Sequence, residues 1–229
     1  MFSAISYTEN APAIDAAISA GIKVVVIDSD VDSDGVSAHI GTDNVEAGRI
    51  SAAAALDAEP DDLVVGIINC YAETQNCQER EQGFREVLSS SSRVKEIYTV
   101  NTSTDAELAK QAAIQLLQEH PEINVLIGFN EPLAVGTARA VKELGLAGQV
   151  RAIAFDSNVE CIELLQSDVV SALIVQNPYA MGYLGVEKAW EALQGKDFDA
   201  ESPIDTATLT ITKENLFSTE SQKALFSFS

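Results

Sequence analysis

The chain has 229 residues, 46% of them hydrophobic, and carries 14 Lys and Arg against 35 Asp and Glu for a formal net charge of −21. That length holds one large or two small hydrophobic cores at about 100 to 200 residues per domain. Such acidity repels phosphate backbones and anionic lipid surfaces, which sets nucleic acid aside as a direct partner.

The opening MFSAISYTEN has no basic segment followed by a long apolar one, so no secretory signal lies within this chain. No apolar run approaches the roughly 18 to 20 residues that a bilayer span requires. APAIDAAISAG reads as a helix closed by Gly21, and the β-branched run IKVVVI follows at once as a strand. After the short strand-like VSAHI comes the Ala-rich helix NVEAGRISAAAALDA, then LVVGIIN as strand, CQEREQGFREVLSS as helix and VKEIYTV as strand. The alternation continues through DAELAKQAAIQLLQEH, INVLIGF, EPLAVGTARAVKELG and VRAIAF. NVECIELLQS and PYAMGYLGVEKAWEALQG are helices on either side of SALIV, and TATLTIT is the last strand. Apolar strands alternating with amphipathic helices are the pattern of βαβ units, so the expected class is α/β with parallel sheets. The rhythm breaks at GTDN (41–44), at QNP (176–178) and at the ESPIDTAT segment with Pro203, three candidate crossovers between two lobes.

Five apolar runs lead to a hydrogen-bonding residue: Asp28, Arg80 after a polar loop, Asn130, Asp156 and Gln176. Ligands of open α/β sheets sit outside the carboxyl ends of the strands, so these positions are candidates for one site. Two carboxylates, a guanidinium and two amides suit a small polyhydroxylated solute: carboxylates accept from vicinal hydroxyls, a guanidinium fork donates, and amides do either. The competing reading is the ordinary polarity of strand ends.

Other features have plainer readings. Cys70 and Cys77 either pair across the 71–76 loop in an oxidising compartment or are buried packing residues, and Cys161 leaves the count odd. His120 precedes Pro121 at a helix end, where the helix dipole accounts for it, and His39 reads as packing or surface. No paired Cys or His spacing supports zinc. DVDSDG (30–35) mimics the start of a calcium loop, but its twelfth position is Gly41 where a bidentate Glu belongs, so no metal is expected. No nucleophile motif or phosphate-binding glycine loop is present. Asp28 and Asp156 as sugar-binding acids need no glycosidase pair to explain them, so neither an enzyme nor a cofactor is expected.

Taken together, IDSD, AHIGTDNVEAGR, EREQGF, FNEPLAVG, IAFDSN, SALIVQNPYAMGYLGVEKA and IDTATLTITKENL resemble, in order, the type I periplasmic binding proteins of the ribose-binding kind. The resemblance implies two Rossmann-like lobes with parallel sheets joined by three hinge crossovers, here residues 1–43 with 177–207 and 44–176 with 208–229. It implies a sugar or polyol held by hydrogen bonds from both lobes and delivered to a membrane ABC permease, outside the cytoplasm and in some members lipid-anchored, by a protein that is a monomer when complete. Asp28, Arg80, Asn130, Asp156 and Gln176 match the binding positions, and Tyr71 is either a candidate for stacking on the sugar or a half-exposed structural tyrosine. Ser29 stands where such proteins often carry a second arginine, and Thr104 lies near a common aromatic position, so the sugar is not specified. The chain is expected to begin near the third strand of the first lobe, at FSAIS, leaving that lobe incomplete. The effector core of a lactose-repressor-type regulator, or a sugar-sensing receptor component, is the alternative on the same fold.

Overall fold

The computed structural model describes residues 1–57, 62–71, 75–198 and 203–226. Helix α1 (Ala11–Ser19) has Pro in its first turn. It stops at Gly21, whose φ of 84° is a left-handed conformation open to a residue without Cβ. Strands β1 (Val25–Ile27) and β2 (Ala38–Gly41) come next, followed by α2 (Asn44–Leu56), β3 (Leu63–Cys70), α3 (Gln75–Leu88), β4 (Val94–Thr102) and α4 (Ala106–Glu119). Then come β5 (Val125–Gly128), α5 (Glu131–Glu143), β6 (Arg151–Phe155), α6 (Val159–Gln166) and β7 (Val170–Val175). The remaining elements are α7 (Pro178–Leu193), β8 (Ile204–Asp205), β9 (Leu209–Ile211) and α8 (Thr219–Leu225). Several helices start where a short polar side chain takes up an otherwise unpaired amide: Asp105 accepts from Glu107 and Leu108, Asn158 from Cys161 and Asn177 from Ala180.

The chain divides into two compact units. One comprises the described residues of Met1–Asp43, Ala72–Asn76 and Gln176–Thr208, the other those of Asn44–Tyr71, Cys77–Val175 and Leu209–Ser229. The second, larger unit is built on a six-stranded sheet of order β4-β3-β5-β6-β7-β9. Its central strands are covered on both faces, and all four residues of β5 are buried, as expected for a parallel sheet between helix layers. Phe84, Phe129, Phe155, Ile67, Leu126 and Ile153 are among its fully buried side chains. Edge strand β4 instead exposes Lys95 and Glu96, charges that discourage edge-to-edge pairing.

The smaller unit has a three-stranded parallel sheet, β1-β2-β8. The period of two along a strand sends consecutive valines to opposite faces. Val24 and Val26 join a cluster with Ala11 and Ile14 of α1, while Val25 joins Ile40 and Met181 of α7. The other side of α7 exposes Tyr179, Tyr183, Val186, Trp190 and Leu193.

Three details differ from the sequence expectation. FSAIS is not a strand, and only Phe2 makes an isolated parallel bridge, to Val26. The Asn10 carboxamide accepts from the amides of Ile5 and Ser6 at 3.1 and 3.0 Å, which turns the backbone away from a ladder. Ile204–Asp205 forms a strand that is too short to show a period, pairing with Ile40 and Gly41. The last strand, β9, runs antiparallel to β7 rather than parallel.

Candidate functional site

In the larger unit, three of the sequence-selected residues gather at the carboxyl ends of β5 and β6. Arg80, on α3, is only 2% exposed. Its Nη1 donates to the carbonyl of Phe129 at 2.8 Å, the residue before Asn130, and its Nε donates to Oδ1 of Asn44 at 2.9 Å. Its Cζ lies 3.9 Å from the centre of the Phe155 ring, the residue before Asp156. The guanidinium therefore ties together the two strand ends from which Asn130 and Asp156 emerge.

Asn130 caps the start of α5, with its Oδ1 accepting the Leu133 amide at 3.1 Å and its Nδ2 donating to Cys77 Sγ at 3.5 Å. Its carboxamide is half-buried and held in one orientation by these contacts. Asp156 has a φ of 68°, in the left-handed region that asparagine and aspartate tolerate better than other residues with a Cβ. Its backbone N–H donates to the Ile174 carbonyl at 2.8 Å, continuing the β6–β7 ladder one residue past the strand before the chain turns. Tyr71 follows β3, donates its amide to the Thr102 carbonyl at 3.3 Å and is 49% exposed.

In the smaller unit, Asp28 occupies the corresponding place after β1. Its φ is 60°, and its N–H donates to the Ile40 carbonyl at 2.9 Å. Its Oδ2 accepts from the hydroxyls of Ser29 at 3.3 Å and Ser3 at 3.5 Å, two contacts that the sequence reading did not anticipate. Gln176 Oε1 accepts from Thr42 Oγ1 at 2.8 Å, and Thr42 directly follows β2. Since β1 and β2 pair with Ile27 opposite Ile40, Asp28 and Gln176 belong to the same end of this sheet.

The sequence reading also missed Asn44 and Phe155, two of the partners of Arg80. Asn44 sat within the GTDN break, and only the packing of α2 on α3 gives it a partner. The aspartates of DVDSDG line a concavity of about 530 Å³ with Tyr7, His39 and Pro203. Burial first, and then the negative charge of Asp32, Asp30 and Asp34, push the Tyr7 hydroxyl above its ordinary pKa. Among the described residues, no group of three or more His, Cys, Asp or Glu is placed to hold a metal ion. Likewise no helix among them is long and apolar enough to cross a membrane. His39 Nε2 lies 3.1 Å from the Asp28 carbonyl oxygen, while His120 stacks on Tyr98 at 3.7 Å and contacts Glu122, so both histidines have structural partners. All three cysteines are buried.

Comparison with known proteins finds relatives of the chain as a whole. A family model described as a periplasmic binding protein domain matches residues 1–197. A D-ribose/D-allose-binding protein of Pseudomonas aeruginosa is 28% identical over 210 residues, covering 86% of this chain and 65% of its own length. A ribose import binding protein of Bacillus subtilis is 27% identical over 186 residues, covering 80% and 59% respectively. The chain thus spans less than two thirds of the length of these curated relatives. Among solved structures, an ABC transporter solute binding protein of Agrobacterium vitis with bound D-fucose superposes with a TM-score of 0.89 at 27% identity, over 96% of this chain and 77% of that one.

Proposed function

The chain belongs to the periplasmic binding protein domain family, and from that premise we propose that it binds a monosaccharide or similar polyol outside the cytoplasm and presents it to an ABC-type sugar importer. The observation that carries this reading is the Arg80 tie between the strand ends bearing Asn130 and Asp156. It groups a donor fork, an amide and a carboxylate within one unit, and these are the group types that neighbouring sugar hydroxyls require. The names of the relatives, which bind ribose, allose or fucose, point to the same ligand class.

In this reading Asp156 accepts from two adjacent hydroxyls, Asn130 donates or accepts at a third, and Arg80 donates. Asp28 and Gln176 supply a further acceptor and an amide, and Tyr71 offers an aromatic face to the sugar's C–H surface. The protein binds its solute and releases it unchanged.

A thermal-shift panel of D-ribose, D-allose, D-fucose and other pentoses, hexoses and cyclic polyols tests the proposal. Ligand at about 100 times its dissociation constant adds about 2.7 kcal/mol of stability. No response to any sugar or polyol would sink the reading. For a sugar that does bind, Asp156→Ala weakens affinity by at least about tenfold when a charged partner is lost. Unchanged affinity by calorimetry removes Asp156 from the site.

A further inference from the structure

We propose that Asn44 is a positioning residue that orients the Arg80 guanidinium and through it sets affinity for the sugar, an inference that rests on the binding role proposed above. Asn44 is the first residue of α2 and is 8% exposed. Its Oδ1 accepts from Arg80 Nε at 2.9 Å, and its Nδ2 donates to Glu79 Oε2 at 3.1 Å. The chemistry of the two neighbours leaves one orientation for the amide. A guanidinium Nε–H only donates and so requires the oxygen, while an ionised carboxylate only accepts and so requires the nitrogen. Glu79 and Arg80 are adjacent on α3, so a single carboxamide reads two consecutive side chains of the neighbouring helix.

The guanidinium is planar, and three contacts bear on where its plane lies. The Phe155 ring covers one face at 3.9 Å, the Phe129 carbonyl takes Nη1 at 2.8 Å, and Asn44 takes Nε at 2.9 Å. The carbonyl and ring contacts both lie toward the strand ends. Of these three, Asn44 holds the guanidinium from the α2 side, so its loss removes the contact that orients Nε.

The backbone around it has little freedom to compensate. A Cβ on Gly48 would run into the Arg80 carbonyl, and one on Gly83 would run into the Val45 carbonyl. Helices α2 and α3 therefore cross with their main chains in contact, one turn beyond Asn44 on α2 and about one turn beyond Arg80 on α3. The crossing fixes the distance over which Asn44 works, so the amide acts as a rigid stop for the fork.

The test uses the tightest-binding sugar of the panel and the 15N signal of the Arg80 Nε–H. Asn44→Ala is expected to weaken sugar affinity by at least about tenfold and to speed solvent exchange of the Nε–H. The double swap Asn44→Asp with Glu79→Gln reverses the carboxylate and amide but keeps an oxygen on Nε and a nitrogen on its neighbour. It is expected to return affinity to within about threefold of wild type and to restore slow exchange, a rescue that a merely structural role would not produce. Wild-type affinity with slow Nε–H exchange in Asn44→Ala overturns the proposal, as does a swap that performs no better than the alanine. If Asn44→Ala does not fold, retained affinity in the swap supports the proposal and lost affinity overturns it. If the wild-type protein takes no sugar at all, the binding proposal falls, and the Nε–H exchange rates of the two variants still decide whether Asn44 positions Arg80.

Discussion

The Arg80 guanidinium carbon stands 3.9 Å from the centre of the Phe155 ring, joining helix α3 to the last residue of strand β6. A guanidinium stacks on an aromatic face through both its charge and its flat shape, and it is more weakly hydrated than an ammonium, so it tolerates burial better. Arg80→Lys keeps the charge but loses the plane and the fork. The Asn44 oxygen and the Phe129 carbonyl cannot both be satisfied by one ammonium in the same geometry. Arg80→Lys is expected to destabilise the protein by about 1–3 kcal/mol, the cost of leaving a buried polar group without its partner. Denaturant titration measures it, and an unchanged midpoint would show that the lysine finds equivalent partners.

The crossing of α2 on α3 gives a sharper stability prediction. Gly48→Ala and Gly83→Ala each push a methyl group into a main-chain carbonyl of the opposite helix, and a backbone cannot rotate aside as a side chain does. Each is expected to cost about 1–3 kcal/mol or more through overpacking. Gly182→Ala is the control, because a Cβ at Gly182 meets nothing within 4 Å. It is expected to leave stability unchanged or slightly raised, since alanine is the better helix former. Equal midpoints for all three variants would contradict close contact between α2 and α3.

The alternation that gave the fold was legible because each buried strand of the larger unit is a run of apolar residues with a helical period on either side. LVVGIIN and INVLIGF needed no tertiary information to be read as buried strands. Ile204–Asp205 escaped because two residues carry no period, and the antiparallel sense of β9 escaped because direction is decided by the path of the connection rather than by the strand's own residues. Within the candidate site, the strand-end residues were visible as polar stops after apolar runs. Asn44 and Phe155 were not, because an amide at a helix start and an aromatic at a strand end look ordinary until α3 packs against α2 and the end of β6. The burial of Arg80 was equally hidden: its sequence neighbours Glu79, Glu81 and Gln82 give no sign that this one position faces inward.

Arg139 and Glu160 form a two-pronged pair, Nε to Oε1 and Nη2 to Oε2, both at 2.7 Å. Hydrogen bonding from Arg139 holds the Glu160 carboxyl below its ordinary pKa, with burial opposing. A folded-state pKa below the unfolded value means that the stabilisation is present above about pH 4.3 and is lost as pH falls through the folded value. Both side chains are more than a third exposed, at 40% and 38%, so solvent screening keeps the effect small. Glu160→Gln should therefore melt slightly below wild type at pH 6, with the gap narrowing as the pH falls below the ordinary Glu value of about 4.3. A gap that stayed constant with pH would mean that the ionised pair contributes nothing.

Cys161 lies on α6 and is fully buried. Burial pushes its thiol up to about 11, against the opposing hydrogen bond at Asn158. Because only the thiolate is an effective nucleophile, the native protein at pH 8 is expected to leave Cys161 unmodified by iodoacetamide while the unfolded chain is labelled. The linkage follows the same direction: the contribution is intact below the unfolded thiol pKa of about 8.5 and is lost as pH rises toward the folded value. Peptide mapping after labelling reads the outcome, and rapid native modification would mean that the α6 region opens readily.

Asp28, Asp156 and Asp168 share a left-handed backbone, with φ of 60°, 68° and 60°, yet they serve different ends. Asp168 follows α6 at a turn where the Val169 amide returns to the Leu164 carbonyl, and its side chain is paired with Lys213. That is ordinary helix termination, a position that glycine would fill without loss. Asp28 and Asp156 sit instead just past strands β1 and β6, where the binding role proposed above would keep a strained backbone for the side chain it presents. Comparing glycine with alanine at each position separates backbone from side chain, since both substitutions remove the carboxylate. At all three positions the glycine variant is expected to be more stable than the alanine variant by about 1 kcal/mol, the relief of left-handed strain less the greater chain entropy of glycine. Sugar affinity should divide them differently, falling at least about tenfold for either substitution at Asp28 or Asp156 and staying at wild-type level for both substitutions at Asp168. Equal stability of the glycine and alanine variants would remove strain from the account, and lost affinity in the Asp168 variants would show that the assay reads stability rather than contact.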